Sequence, residues 1–115
     1  MSVDFNVGRT MLRQGLGLVQ VGGEVDIYTA PRLKDEIVAL IDEGAANMVV
    51  DLSGVTFIDS TALGVLIGGI KRVHTLGGEL VMVAESRPVQ KILAITGLDK
   101  VFIVCTTRDE ALATF

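Results

Sequence analysis

The chain has 115 residues, half of them hydrophobic and 21% charged, with ten basic residues against fourteen acidic for a net charge of −4. That length suits one domain, residues 1–115, with a real core. No apolar run nears the ~20 residues that span a bilayer, and no stripe of Lys and Arg offers itself to a phosphate backbone, so membrane-spanning and nucleic-acid-binding roles are set aside.

Val3, Phe5 and Val7 alternate with polar residues as a half-buried strand does. After a turn near "RQGLG" the run "LVQV" alternates again, which predicts an antiparallel hairpin. The stretch "YTAPRLKDEIVALIDEG" carries helix signals: Thr29 as N-cap, Pro31 in the first turn, a stripe of Leu33, Ile37, Leu40 and Ile41, and Gly44 just past the end. "NMVVDL" then reads as a strand buried on both faces.

"FIDSTALGVLIGG" follows, and a helix beginning at Ser60 aligns Leu63, Leu66, Ile67 and Ile70 on one core-facing stripe. Gly64 and Gly68 fall on a neighbouring flank, where a second backbone has room to approach. Val65, Gly69 and Arg72 are expected roughly opposite the core. "ELVMVA" reads as a strand, "SRPVQKILAITG" as a helix capped by Ser86 and ended by Gly97, and "VFIVC" as the last strand. Thr107 and Glu110 match the capping box of a short final helix. The order β-β-α-β-α-β-α-β-α predicts an α/β fold: a mixed sheet of five strands with an N-terminal antiparallel hairpin and parallel pairing thereafter.

Asp59, Ser60 and Thr61 stand where a strand's carboxyl end meets a helix N-terminus, a common place for ligand and functional sites in such sheets. Only one of the three is needed to cap the helix. Ser60 as a nucleophile requires a nearby base, and His74, the only histidine, is fourteen positions along the same helix, roughly 21 Å away. "IDSTA" lacks the glycines of the G-x-S-x-G elbow. "GVLIGGIK" has Ile70 where a phosphate loop needs lysine, and Gly15 and Gly17 precede a strand instead of following one. The carboxylates Glu24, Asp26, Asp51 and Asp59 are dispersed in sequence, and no Cys and His cluster accompanies them, so neither a metal nor a cofactor is expected. Cys105, in the apolar run "VFIVC", reads as an inert buried thiol. Being alone, it fits a reducing cytoplasm, as does an opening stretch with no basic leader or long apolar segment.

What remains is a hydroxyl that receives a group from another protein, with no catalysis of its own. A phosphate on Ser60 would find the N–H groups and dipole of a helix N-terminus, yet would repel Asp59 and Asp26. Two charges ~6 Å apart at an effective dielectric of about 20 repel by about 3 kcal/mol, roughly a hundredfold in a binding constant.

"VGGEVDIYTAPRL", "VVDLSGVTFIDSTALGVLIGG" and "ITGLDKVF" together resemble the anti-sigma factor antagonists, the bacterial single-domain STAS proteins. The resemblance implies a mixed sheet flanked by four helices. It also implies that the unmodified protein binds an anti-sigma factor that is itself a serine kinase of the histidine-kinase-like ATPase type, and so frees a sigma factor. Phosphorylation at Ser60, between Asp59 and Thr61, ends that binding, and a metal-dependent serine phosphatase reverses it. Glu24, Asp26 and Thr29 match the segment that contacts the kinase, and Gly64 and Val65 continue the motif. The family usually reads D-S-[ST]-G-L-G, whereas Ala62 replaces the first glycine here. A methyl beside the acceptor bears on kinase access and leaves Thr61 as the alternative acceptor. The competing reading is a STAS module that senses a ligand or regulates a transporter or stressosome-like assembly. Val65 serves a partner or a weak homodimer equally well.

Overall fold

The computed structural model describes residues 4–115. Strands β1 (Asn6–Arg13) and β2 (Leu16–Val25) form the hairpin, followed by α1 (Ala30–Asp42), β3 (Asn47–Ile58) and α2 (Ser60–Thr75). Then come β4 (Leu80–Val83), α3 (Arg87–Ile95), a single 3-10 turn at Leu98–Lys100, β5 (Ile103–Cys105) and α4 (Arg108–Ala113). The sheet order is β1-β2-β3-β4-β5, with β1 antiparallel to β2 and the other neighbours parallel. The element order and the mixed sheet are those the sequence predicts. Val3, the first residue of the expected opening strand, lies outside the described residues, and Phe5 precedes β1, so Val7 alone of the expected alternating set is in the strand.

The apolar runs of β2, β3 and β4 supply both faces of the sheet by simple alternation. Val19, Val50, Leu80 and Met82 meet α1, α2 and α3 on one face; Leu18, Val49, Val81 and Val83 meet Ala111 of α4 on the other. In α2, burying Leu63, Leu66, Ile70 and Val73 stabilises by roughly 2 kcal/mol each, against about 1 kcal/mol lost at each glycine of the helix. Packing therefore holds α2, not propensity. Gly69 belongs to that packing: it is buried, and a β-carbon there would stand 3.2 Å from Leu80 Cδ1 and 3.5 Å from Ile37 Cγ2. The outward position expected for it is corrected on that ground.

Helix ends depart from the sequence reading wherever a tertiary acceptor competes with the cap. Gly44 (φ 108°) does close α1, its N–H bonding to Ile41 O and that of Ala45 to Leu40 O. Thr29 occupies the N-cap position of α1, but its hydroxyl donates to Glu24 O (3.0 Å) instead of capping. The Ser86 hydroxyl likewise turns to Val55 O (3.2 Å). The Thr107–Glu110 capping box forms as expected. The last strand is shorter than "VFIVC", because Val101 and Phe102 both donate to Leu98 O and close the 3-10 turn. Cys105 is half-buried, and burial, followed by the nearby Glu110 carboxylate, pushes its thiol up, away from the reactive thiolate.

Among the described residues one side-chain carboxylate is buried. Asp51, 7% exposed, accepts from the Ser53 hydroxyl (2.5 Å) and amide (2.9 Å) and from Arg108 Nε (3.1 Å) and Nη2 (2.8 Å), clamping α4 to the sheet. Burial pushes its carboxyl up, but the Ser53 and Arg108 hydrogen bonds outweigh it and hold the group below the ordinary value of 3.8. A folded pKa below the unfolded one means the stabilisation is full above the unfolded value and is lost as pH falls through the folded one. Urea midpoints are therefore expected to fall as the pH drops below about 4, and Asp51→Asn is expected to flatten that acid limb. An unchanged acid limb in the variant would contradict this role.

Candidate functional site

The site begins where β3 runs further than the apolar run "NMVVDL". Its second half stays paired with β2 through two register shifts, ending with Glu24 opposite Phe57 and Val25 opposite Ile58. The Asp59 amide then donates to Val25 O (3.1 Å), so the last link of the ladder joins the start of α2 to the start of the β2–α1 loop. Residues more than thirty positions apart are brought together by backbone pairing alone.

Asp59 is extended (φ −108°, ψ −178°), and its Oδ1 accepts from the Ala62 amide (3.0 Å) while its carbonyl accepts from Leu63 (3.1 Å). The acid is therefore the cap. Ser60 and Thr61 are the first two helical residues, both exposed, with their hydroxyls free of the capping duty. Ala62 is fully buried and its methyl lies in the core cluster, so it packs the helix against the sheet.

The β2–α1 loop is rigidified by its own side chains. Asp26 Oδ1 accepts from the amides of Tyr28 (2.9 Å) and Thr29 (3.0 Å), and the Thr29 hydroxyl accepts from the Asp26 amide (2.9 Å). Glu24, Asp26, Thr29 and Arg32 line one depression of about 520 Å³, with the Arg32 guanidinium 5.0 Å from the Phe5 ring centroid. Thr61, Gly64 and Val65 line a second, of about 310 Å³, together with Lys34. Ser60 lines neither. Val65 is half-buried where the sequence predicts an open position.

Three large apolar side chains near this edge are not among the site residues read from the sequence: Ile27 is 60% exposed, Tyr28 86% and Phe57 48%. Such exposure in a loop and at a strand end marks an unpartnered apolar rim. The only signal for it in the sequence is the pair Ile27-Tyr28 inside an otherwise polar turn. His74 is exposed at the far end of α2, its Nε2 2.9 Å from Glu79 Oε1 and remote from Ser60. Among the described residues no group of His, Cys, Asp and Glu is arranged to hold a metal ion, and no helix is long and apolar enough to cross a membrane.

Residues 10–111 match the family model of the STAS domain. The chain belongs to the STAS family. An anti-sigma-B factor antagonist of Staphylococcus epidermidis is 36% identical to this STAS domain over 80 residues, 70% of this chain and 74% of that protein. An anti-sigma factor antagonist from Mycobacterium paratuberculosis, solved by crystallography, superposes with a TM-score of 0.77 at 31% identity, covering 98% of this chain and 93% of its own. These likenesses set the chain among the anti-sigma factor antagonists. The antagonist SpoIIAA shares the fold in its unphosphorylated form (TM-score 0.78, 20% identity, 95% of this chain and 93% of its own). Bacillus SpoIIAA in its phosphorylated form does so too (TM-score 0.72, 18% identity, 96% and 98%).

Proposed function

We propose that this STAS domain works as a phosphorylation-switched binding module. Unmodified, it binds an anti-sigma factor that is also a serine kinase and so frees a sigma factor; phosphorylation of Ser60 ends the binding. A metal-dependent serine phosphatase resets it, and the exchange takes place in the cytoplasm without catalysis by the domain itself. The observation that carries this reading is the division of labour at the start of α2: Asp59 caps, and the exposed Ser60 is left with a free hydroxyl. The Val25–Asp59 link keeps Glu24, Asp26 and Thr29 on the same edge, available to the same partner.

A phosphate at this position suits a reversible switch. The first-turn amides of Ser60 and Thr61 have no helical acceptor and can donate to it, and the helix dipole favours its charge. The phosphorylated domain therefore keeps its fold while presenting about two extra negative charges to the partner. Anti-sigma factor kinases from the host genome, purified and incubated singly with the protein and ATP, are expected to include one that adds a single phosphate, mapped to Ser60 by mass spectrometry and absent from Ser60→Ala. Phosphate retained by Ser60→Ala would move the acceptor to Thr61 and overturn the assignment.

A further inference from the structure

The groove between α1 and α2 carries charge of a sign unusual for this chain. Thr61, Val65, Gly68 and Arg72 form one line along α2, at spacings of four, three and four, over about 16 Å. Lys34 of α1 faces this line across the groove, and Arg72 closes its far end. Neither cation is in an ion pair among the described residues, although the chain holds fourteen carboxylates. Glu36 of α1 and Glu43 just past its end are instead drawn to Arg9 of β1 (2.7 and 2.9 Å), and Glu36 projects from roughly the opposite flank of the helix to Lys34. On a surface with net charge −4, an uncompensated pair of cations flanking a groove selects for negative charge.

The floor favours a close-fitting occupant. Gly64 has nothing within 4 Å of where a β-carbon would stand, so its backbone is open. A β-carbon on Gly68 would lie 3.1 Å from Arg72 Nη1, which shows the guanidinium folded back over bare backbone, toward Ser60. The groove starts at Thr61, beside the acceptor serine, and so continues the surface on which the switch acts.

We propose that this groove receives an acidic segment of the anti-sigma factor kinase, with Lys34 and Arg72 selecting its carboxylates. The inference rests on the function proposed above and names the chemistry of the partner's contact. Lys34 and Arg72 set partner choice and association rate, while the Ser60 edge sets the on and off states.

The test is titration calorimetry with the kinase that phosphorylates Ser60, at low and at moderate salt. Lys34→Glu/Arg72→Glu is expected to bind about thirtyfold more weakly than the parent, with a shallower salt dependence. Lys34→Arg/Arg72→Lys is expected to stay within about threefold of it. Both residues are exposed, and circular dichroism of each variant checks that the fold is kept. A charge-reversed variant that binds like the parent while Ser60→Asp still fails to bind would overturn the groove assignment and leave the proposed function standing. A reversal that changes only the sedimentation of the protein alone would assign the groove to a second copy and overturn it as well. A parent protein that binds no kinase would overturn both.

Discussion

Ser60→Asp is expected to weaken binding to the anti-sigma factor kinase by about a hundredfold while changing unfolding free energy by no more than about 1 kcal/mol. The two halves of this result have separate causes. In the free domain the new carboxylate stays in water at an exposed first helical position, close to amides that have no acceptor of their own. In the complex it is brought against a partner surface complementary to a neutral hydroxyl, beside Asp59 and the Glu24–Asp26 loop. An unpaired charge desolvated at an interface costs several kcal/mol, more than the about 3 kcal/mol a hundredfold loss requires. Calorimetry with the kinase and a thermal melt of the variant measure both halves. Binding unchanged, or a variant unfolded at the parent's working temperature, would make Ser60 a structural residue.

Gly78→Ala is expected to destabilise the domain by about 3 kcal/mol through the addition of a single methyl. Gly77 and Gly78 end α2, their amides bonding to His74 O and Val73 O. Gly78 passes so close to the chain before β3 that a β-carbon there would overlap the Ala46 carbonyl. The neighbour is backbone and cannot swing aside as a side-chain end does. Relieving the overlap moves the turn that places Glu79 for its bonds with Asn47 Oδ1 and the Met48 amide, the first contacts of β4 with β3. Chemical denaturation of the variant checks this, with Gly64→Ala as the contrast: its site is open, and the substitution is expected to raise helix stability by up to about 1 kcal/mol. Equal stabilities for the two variants would contradict the packing described for this turn.

What was legible in the sequence was what local patterning controls. The turn between β1 and β2, the Leu33–Ile37–Leu40 and Leu63–Leu66–Ile70 stripes, and the Thr107–Glu110 box all depend on residues within a few positions of one another. The extension of β3 to Ile58 was not legible, because "SGVTF" has no clear period and is held in the sheet by its pairing with Gly22–Val25. The hydroxyls of Thr29 and Ser86 look like caps in any local reading; carbonyls at Glu24 and Val55, reached only in the folded chain, take them instead. Gly69 reads as outward on a helical wheel until Ile37 and Leu80 are known to converge on it. The Asp51–Arg108 clamp joins residues fifty-seven positions apart and leaves no periodic trace. At the candidate site the sequence pointed to the acid and the two hydroxyls but left open which one caps. The Asp59 Oδ1 to Ala62 amide bond makes that division.

In the proposed switch, one phosphate on Ser60 closes a binding surface without unfolding the domain. Its most direct measurement is the calorimetric affinity of the kinase for the unmodified protein and for the same protein carrying one phosphate mapped to Ser60. Affinity is expected to be at least about a hundredfold weaker for the phosphorylated form, with both forms melting within a few degrees of each other. Equal affinity of the two folded forms would contradict it.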